Sequence, residues 1–208
     1  MTVSESSSYI RKSSKCAVIV AHPDDETLWA GGLMLMHPEV KWTVVTICRK
    51  SDPDRAPKFF KALKKLNATG FMADLDDGPE QTPLNNAEVK KIITNLLPSD
   101  RFDLIITHGT SGEYTRHRRH EETAKAVLAL WHSDQVHAAR LWTFAYEDGN
   151  GKYLPRAVER ADLLIELTDE IWQQKYDMIT EIYGFSQDSF EAKATPKKEA
   201  FWCFKAPC

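Results

Sequence analysis

The segment 17–26 reads Ala-Val-Ile-Val-Ala-His-Pro-Asp-Asp-Glu, and it decides the fold class. Its first five residues form an apolar run typical of a buried strand. Pro23 then biases His22 toward extended backbone and prevents the strand from continuing. Ligands of open α/β sheets bind at the carboxyl ends of the strands, which is where this segment places an imidazole and a run of carboxylates.

These residue types indicate divalent-metal chemistry, because imidazole and carboxylate are good ligands for zinc and similar ions. An alternative is that Asp24, Asp25 and Glu26 only cap the following helix and complement its dipole. His22 favours the metal interpretation, since helix capping does not require an imidazole two residues before the acids.

A second apolar strand, 104–107, opens into another histidine-bearing loop with Gly-Glu-Tyr at 112–114. His117 and His120 follow and are three residues apart, ahead of a run of good helix formers. Both imidazoles can therefore project from one side of a first helical turn. By itself such a pair is more often two idle surface histidines.

Together the two segments complete a site. His22, one carboxylate and His120 supply three ligands and leave a fourth position for water, as a catalytic zinc ion requires. The other carboxylate is then free to act as a base, and spacing alone does not decide between Asp24 and Asp25.

At this point the chain resembles the LmbE-like and PIG-L-like family of zinc-dependent N-deacetylases. The family signature is Ala-His-Pro-Asp-Asp near the N-terminus and Gly-Glu-Tyr…His-x-x-His further along, and both stand here, at 21–25 and 112–120. The resemblance implies hydrolysis of an N-acetyl or other N-acyl group on an amino sugar, such as N-acetylglucosamine, or on a glycoside, by a zinc-bound water.

The resemblance also implies a role for each motif residue. His22, Asp25 and His120 would hold one Zn²⁺ per chain, although histidine and carboxylate ligands accept other divalent metals too. Asp24 would be the general base. His117 would polarise the carbonyl and help the leaving amine, and we expect a small upward shift of its pKa to make it cationic at working pH.

Weaker matches extend the resemblance from about residue 15 to about residue 190, and Arg55, Asp77 and Tyr114 are the substrate-binding residues that it implies. Several positions depart from the family pattern, which makes the substrate pocket less predictable than the metal. The departures are Lys58 for glutamate, Asn67 for glycine, an extra Arg116, and Arg118 with Arg119 between the two histidines.

Basic residues gather in the segments that follow the site-bearing strands. They suit a substrate carrying phosphate or carboxylate, but they equally suit a solvated basic rim. The set comprises Arg49, Lys50, Arg55, Lys58, Arg116, Arg118 and Arg119.

Two other functions remain open at this stage. A metal-dependent phosphoesterase would use the same ligands, but two-metal members need more bridging ligands. A sugar- or metal-binding protein without catalysis is the other, and a free Asp24 argues against it because simple binding needs no base.

Composition sets the wider limits. The 208 residues are 42% hydrophobic and 27% charged, enough for one sizeable core, and the net charge of −3 gives no general attraction to nucleic acid. The sequence shows no membrane span or signal-peptide pattern, so we expect a soluble cytoplasmic protein whose small-molecule partner is the N-acetylated sugar. Oligomeric state stays open, a homo-oligomer included. The four cysteines form no Cys-x-x-Cys pair and indicate neither a zinc knuckle nor a disulfide framework.

Strand-like and helix-like runs alternate along the chain. This pattern predicts an α/β, Rossmann-like three-layer fold with a mostly parallel sheet and helices on both faces. We expect a serine-rich mobile tail at 1–14 and a single domain at 15–208. The predicted strands lie near 16–22, 41–48, 70–75, 102–107, 140–146 and 163–167, and the predicted helices at 25–36, 54–67, 87–97, 118–132 and 169–183.

Overall fold

The structure is a computed structural model, and it describes residues 10–98, 101–114 and 116–205. Strands and helices alternate through the first five strands and then give way to a mixed C-terminal part. The strands are β1 (Lys15–Val20), β2 (Lys41–Thr46), β3 (Ala68–Met72), β4 (Leu104–Thr107), β5 (Arg140–Phe144), β6 (Tyr146–Glu147), β7 (Arg156–Ala157), β8 (Leu163–Glu166) and β9 (Lys198–Lys205). The helices are α1 (Asp25–Met36), α2 (Arg55–Lys65), α3 (Asn86–Leu96), α4 (Arg118–His132), α5 (Asp169–Asp177), a π-helical segment (Met178–Ile182) and α6 (Phe190–Ala194).

Seven strands form the central sheet in the order β3-β2-β1-β4-β5-β9-β8. The first five are parallel to one another, whereas β9 pairs antiparallel with both β5 and β8. The predicted α/β three-layer fold with a mostly parallel sheet is therefore confirmed. Strand β9 was missing from the prediction, although residues 200–204 form an apolar run like those of the predicted strands.

Alternate residues of β1 enter two separate cores, one on each face of the sheet. Val18 and Val20 belong to a core that includes side chains of α1 and α2. Ala17 and Ile19 belong to a core that includes side chains of α3 and α4. Because successive side chains of a strand point to opposite faces, a strand buried on both sides reads as a continuous apolar run.

The packed chain begins earlier than the predicted boundary at residue 15. Ile10 is 2% exposed and belongs to the first core, and the backbone N–H of Lys41 donates to the carbonyl oxygen of Ser14. Because the large apolar side chain of Ile10 is buried, residues 10–14 belong to the packed chain and not to the predicted tail. The rest of the predicted tail, residues 1–9, lies outside the described residues, as does Cys208.

The order of the strands reverses between β1 and β4, which are adjacent in the sheet although β2 and β3 separate them in sequence. Such a switch point opens a crevice at the carboxyl ends of the two strands. The two motif-bearing segments follow β1 and β4 and therefore meet there. Among the described residues, no helix has the length and apolar character needed to cross a membrane.

Candidate metal centre

Three imidazoles meet at the switch point. His22 follows β1, while His117 precedes α4 and His120 lies in its first turn. The rings of His117 and His120 stack with centroids 4.2 Å apart, and the ring of His22 lies 4.7 Å from the first and 5.4 Å from the second. The two histidines at the start of α4 thus project to the same side, as their spacing predicts.

Asp25 lies at the centre of this group. Its Oδ2 is 3.2 Å from Nδ1 of His22, 3.4 Å from Nε2 of His120 and 3.5 Å from Nε2 of His108. Burial raises the pKa of Asp25, but His120 and His108 outweigh it and hold the pKa well below its usual range. Asp25 therefore presents an ionised oxygen to the imidazoles.

The donor set fits a divalent metal. Three buried imidazole nitrogens have no hydrogen-bond partner among the described residues, namely His22 Nε2, His117 Nδ1 and His120 Nε2. Ligand atoms of His22, His117 and His120 lie within 4.8 Å of one another, and so do those of Asp25, His108 and His120. In a tetrahedral site with bonds of about 2.1 Å, neighbouring ligands are about 3.4 Å apart. The 3.4 Å separation of Asp25 Oδ2 from Nε2 of His120 matches that spacing.

Glu113 fixes the orientation of two of these rings. Its Oε2 lies 2.9 Å from Nδ1 of His108 and 2.6 Å from Nδ1 of His120. Burial raises the pKa of Glu113, but His108 and His120 hold it at about 2, so the carboxylate accepts from both rings. Such a bond fixes the tautomer of a ligand histidine and turns its other nitrogen toward the metal.

His108 is a structural member of the cluster. Its Nε2 accepts the backbone N–H of Ala21 at 2.9 Å, which ties the end of β1 to the end of β4 and leaves His108 without a nitrogen for a metal. The sequence prediction did not include His108 or Glu113 in the ligand set. The one signal for His108 was its position at a strand end.

Asp24 faces a different environment from Asp25. Its Oδ2 accepts a hydrogen bond from Nη1 of Arg55 at 2.9 Å, and its side chain is 14% exposed. It makes no capping bond to α1. Burial, followed by the charge of Asp25, raises the pKa of Asp24 well above its usual range, and Arg55 opposes that shift. The two carboxylates that spacing could not separate are thus distinguished by their partners.

The expected upward shift in the pKa of His117 is wrong. Burial and the neighbouring His120 lower the pKa of His117 to about 3. A half-buried imidazole next to other imidazoles loses hydration and gains repulsion when it is protonated. His117 is therefore neutral at working pH.

The three predicted substrate residues line the same cleft as the histidines. Arg55, Asp77 and Tyr114 bound a cleft of about 190 Å³ above His22 and His117. Asp77 accepts two hydrogen bonds from Arg49, at 2.6 and 2.9 Å, and its Oδ1 lies 3.2 Å from Nε2 of His22. All eight predicted site residues thus lie at or directly below one cleft.

A larger open depression, of about 770 Å³, is lined by other residues, mainly 155–160 and 193–198. Its lysines pair with exposed acids, as Lys198 does with Glu159 at 3.0 Å. No imidazole lines this depression among the described residues. Volume alone therefore does not identify the site, and the chemistry lies in the smaller cleft.

Comparison with known proteins identifies the family of this chain. The family described as "PIG-L: GlcNAc-PI de-N-acetylase" matches residues 17–131, more than half of the chain. The chain belongs to the PIG-L family, whose members are generally deacetylases. The predicted family is therefore confirmed.

Two individual proteins are similar over most of the chain. "Uncharacterized protein L374" of Acanthamoeba polyphaga mimivirus is 21% identical over 178 residues, which cover 78% of this chain and 75% of that protein. The conserved protein TT1542 from Thermus thermophilus superposes with a TM-score of 0.64 at 14% identity, covering 94% of this chain and 96% of that one. At this identity the second likeness supports the three-layer fold alone.

Proposed function

We propose that this protein is a metal-dependent hydrolase that removes an N-acetyl or other N-acyl group from an amino sugar or glycoside. The observation that carries the proposal is that two adjacent carboxylates have different partners. Asp25 Oδ2 lies within 3.5 Å of three imidazole nitrogens, whereas Asp24 points to Arg55. Amide hydrolysis needs both a metal ligand and a separate base.

His22, Asp25 and His120 are the residues proposed to hold zinc. Three protein ligands are the number typical of catalytic zinc sites. When bound, zinc would lower the pKa of a water molecule to about 7 and act as a Lewis acid toward the amide carbonyl. Glu113 prepares His120 for this role by accepting its Nδ1–H.

Asp24 is the proposed general base. Its raised pKa brings a carboxylate closer to neutrality, where a base and an acid are most effective in one catalytic cycle. Asp24 would take a proton from the attacking water and deliver it to the nitrogen of the leaving amine. Arg55 holds the carboxylate in place for both transfers.

His117 is proposed to assist as a neutral imidazole. Its low pKa, about 3, supports a neutral imidazole at working pH, whose N–H would donate a hydrogen bond to the developing oxyanion. Neutral histidine serves as an electrophile in the same way in other enzymes. This role replaces the cationic one expected from the sequence.

The test combines metal analysis with amine release from a panel of N-acetylated amino sugars. We expect near-stoichiometric metal and turnover in the wild type. Asp24→Ala should keep its metal and lose about 10²–10⁴-fold in rate, the usual contribution of a general base. His120→Ala should lose both metal and turnover.

Asp188→Ala is the matched control, since that side chain is 97% exposed, and it should behave as wild type. Equal metal loss in Asp24→Ala and His120→Ala would refute the assignment of roles. Stoichiometric metal without amine release would favour a binding protein, and phosphate release from sugar phosphates would favour a phosphoesterase.

A further inference from the structure

The arginines of the cleft are committed to acids of the same chain. Arg49 donates to Asp77 at 2.6 and 2.9 Å, and Arg55 donates to Asp24 at 2.9 Å. Arg119 does not line the cleft; it is fully buried and donates to Glu122 at 2.6 Å. An anionic substrate would have to compete with these carboxylates for each guanidinium.

Glu191 is different, because it lines the cleft with an uncommitted carboxylate. It lies beside Phe190 and Tyr114, whose rings are 5.0 Å apart. Within the described chain its side chain makes no hydrogen bond or ion pair, although it is partly shielded from solvent. A carboxylate in this state accepts hydrogen bonds and repels anions.

Gln81 lines the adjoining cavity of about 620 Å³, which shares Arg49, Asp77 and His117 with the cleft. The Nε2 of Gln81 donates to Asp77 Oδ1 at 3.0 Å and to the carbonyl oxygen of Gly78 at 3.1 Å. Since both partners are acceptors, they fix the orientation of the amide. Its Oε1 is buried without a partner among the described residues.

We propose that Glu191 is a specificity-determining residue that selects an uncharged, hydroxyl-rich glycoside and disfavours a phosphorylated one. The inference rests on the proposed function and names the substrate class of that site. Sugar hydroxyls donate to the free oxygens of Glu191. A phosphate brings further acceptors and negative charge toward Glu191 and Asp24, where the guanidinium groups already have carboxylate partners.

The test compares methyl N-acetylglucosaminide with N-acetylglucosamine 1-phosphate in the metal-loaded protein. Two measurements are made on each sugar: kcat/KM for amine release and Kd from saturation-transfer NMR. Any attraction of the phosphate to the metal is common to all variants, so the phosphate-to-methyl ratio reports on Glu191. The variants are Glu191→Gln and Glu191→Lys, with Glu170→Gln and Glu170→Lys at an exposed position of α5 as matched controls.

We expect the wild type to prefer the methyl glycoside. The phosphate-to-methyl ratio should rise about fivefold in Glu191→Gln and further in Glu191→Lys, since one unit charge in a partly solvated cleft is worth about 1 kcal/mol. The Glu170 pair should leave the ratio unchanged. A graded response to charge is not expected of a merely structural residue.

The outcomes separate the two proposals. Amine release with a preference for the phosphorylated sugar, or with a ratio that Glu191 does not affect, would overturn the specificity role while the hydrolase stands. Binding that follows the expected ratios without amine release from any sugar would support the specificity role and count against the hydrolase. Binding ratios that ignore Glu191 would overturn the inference even without turnover.

Discussion

At the residue scale, Asp24 carries backbone strain at the point of proposed chemistry. Its φ is 116° and its ψ −31°, a region that non-glycine residues rarely adopt. The conformation is held from both sides, because its N–H donates to Glu26 Oε2 at 3.0 Å and its carbonyl accepts the N–H of Leu28 at 2.8 Å. Strain of this kind persists only where the surroundings enforce it, and it concentrates at functional sites.

Replacing Asp24 by glycine or by alanine separates this strain from the loss of the carboxylate. Both variants lack the side-chain acid and differ only in Cβ. We expect Asp24→Gly to have a free energy of unfolding about 1–2 kcal/mol higher than Asp24→Ala, because glycine adopts positive φ without a steric cost. Urea unfolding of the two metal-free variants measures the difference. Equal midpoints would show that the backbone at Asp24 is not strained.

At the element scale, helix α1 is held from its interior by a distant strand. The N–H groups of Gly32 and Leu33 donate to the two carboxylate oxygens of Glu199 in β9, at 2.7 and 2.8 Å. Lys175 of α5 completes the network, with Nζ 2.7 Å from Glu199 Oε1 and both side chains fully buried. Since α1 begins at Asp25, this network positions the helix that carries the site.

Lys175→Met should therefore be strongly destabilising, because it leaves the charge of Glu199 buried without its cation. The expected loss is about 3–5 kcal/mol in the free energy of unfolding, measured by denaturant titration. Lys193→Met is the control, since Lys193 pairs with Asp188 at the surface, and it should cost less than about 1 kcal/mol. Similar losses in both variants would refute the network's role.

The residues that follow the π-helical segment Met178–Ile182 support the conformation of Asp24. The hydroxyl of Tyr183 donates to Glu26 Oε1 at 2.6 Å, and the other oxygen of Glu26 holds the N–H of Asp24. The ring centroid of Phe185 lies 4.3 Å from the guanidinium carbon of Arg55, which holds the Asp24 carboxylate. The backbone and the side chain of Asp24 are thus supported from one segment, in line with the frequent occurrence of π segments near functional sites.

At the scale of the whole molecule, the proposed metal joins segments from opposite sides of the switch point. His22 and Asp25 follow β1, and His120 belongs to the helix after β4. A metal that binds the folded chain alone stabilises it by about 2.7 kcal/mol at a free concentration of 100 Kd. Removing it should loosen the whole fold and not only one loop.

Chelation should therefore lower the Tm of the wild type by about 5–10 °C, the shift that such a free energy produces in a chain of this size. The same chelator should leave the Tm of His120→Ala unchanged, because that variant has no metal to lose. Differential scanning calorimetry with and without chelator makes the comparison. An equal decrease in both proteins would show that the metal lies elsewhere.

The central sheet shows which elements could be predicted from the sequence and which could not. Strands β1 to β5 and β8 were predictable because their apolar runs are local signals bounded by turn residues. Strand β9 has the same local signal at 200–204 and was missed. Its place between β5 and β8 and its antiparallel direction depend on pairings between segments distant in sequence. The short helix α6, which brings Glu191 to the cleft, is too short to show a helical periodicity.

Two features could be read from the amino-acid sequence, namely the residue types of the candidate metal centre and the family. Strand ends and a three-residue helical spacing are local features, and they place His22, Asp25 and His120 together. The electrostatics of the cleft could not be read in this way and emerge only from the folded chain. The low pKa of His117 and the free acceptors of Glu191 and Gln81 depend on neighbours distant in sequence. Burial and partner choice are properties of the packed chain, so no local pattern reveals them.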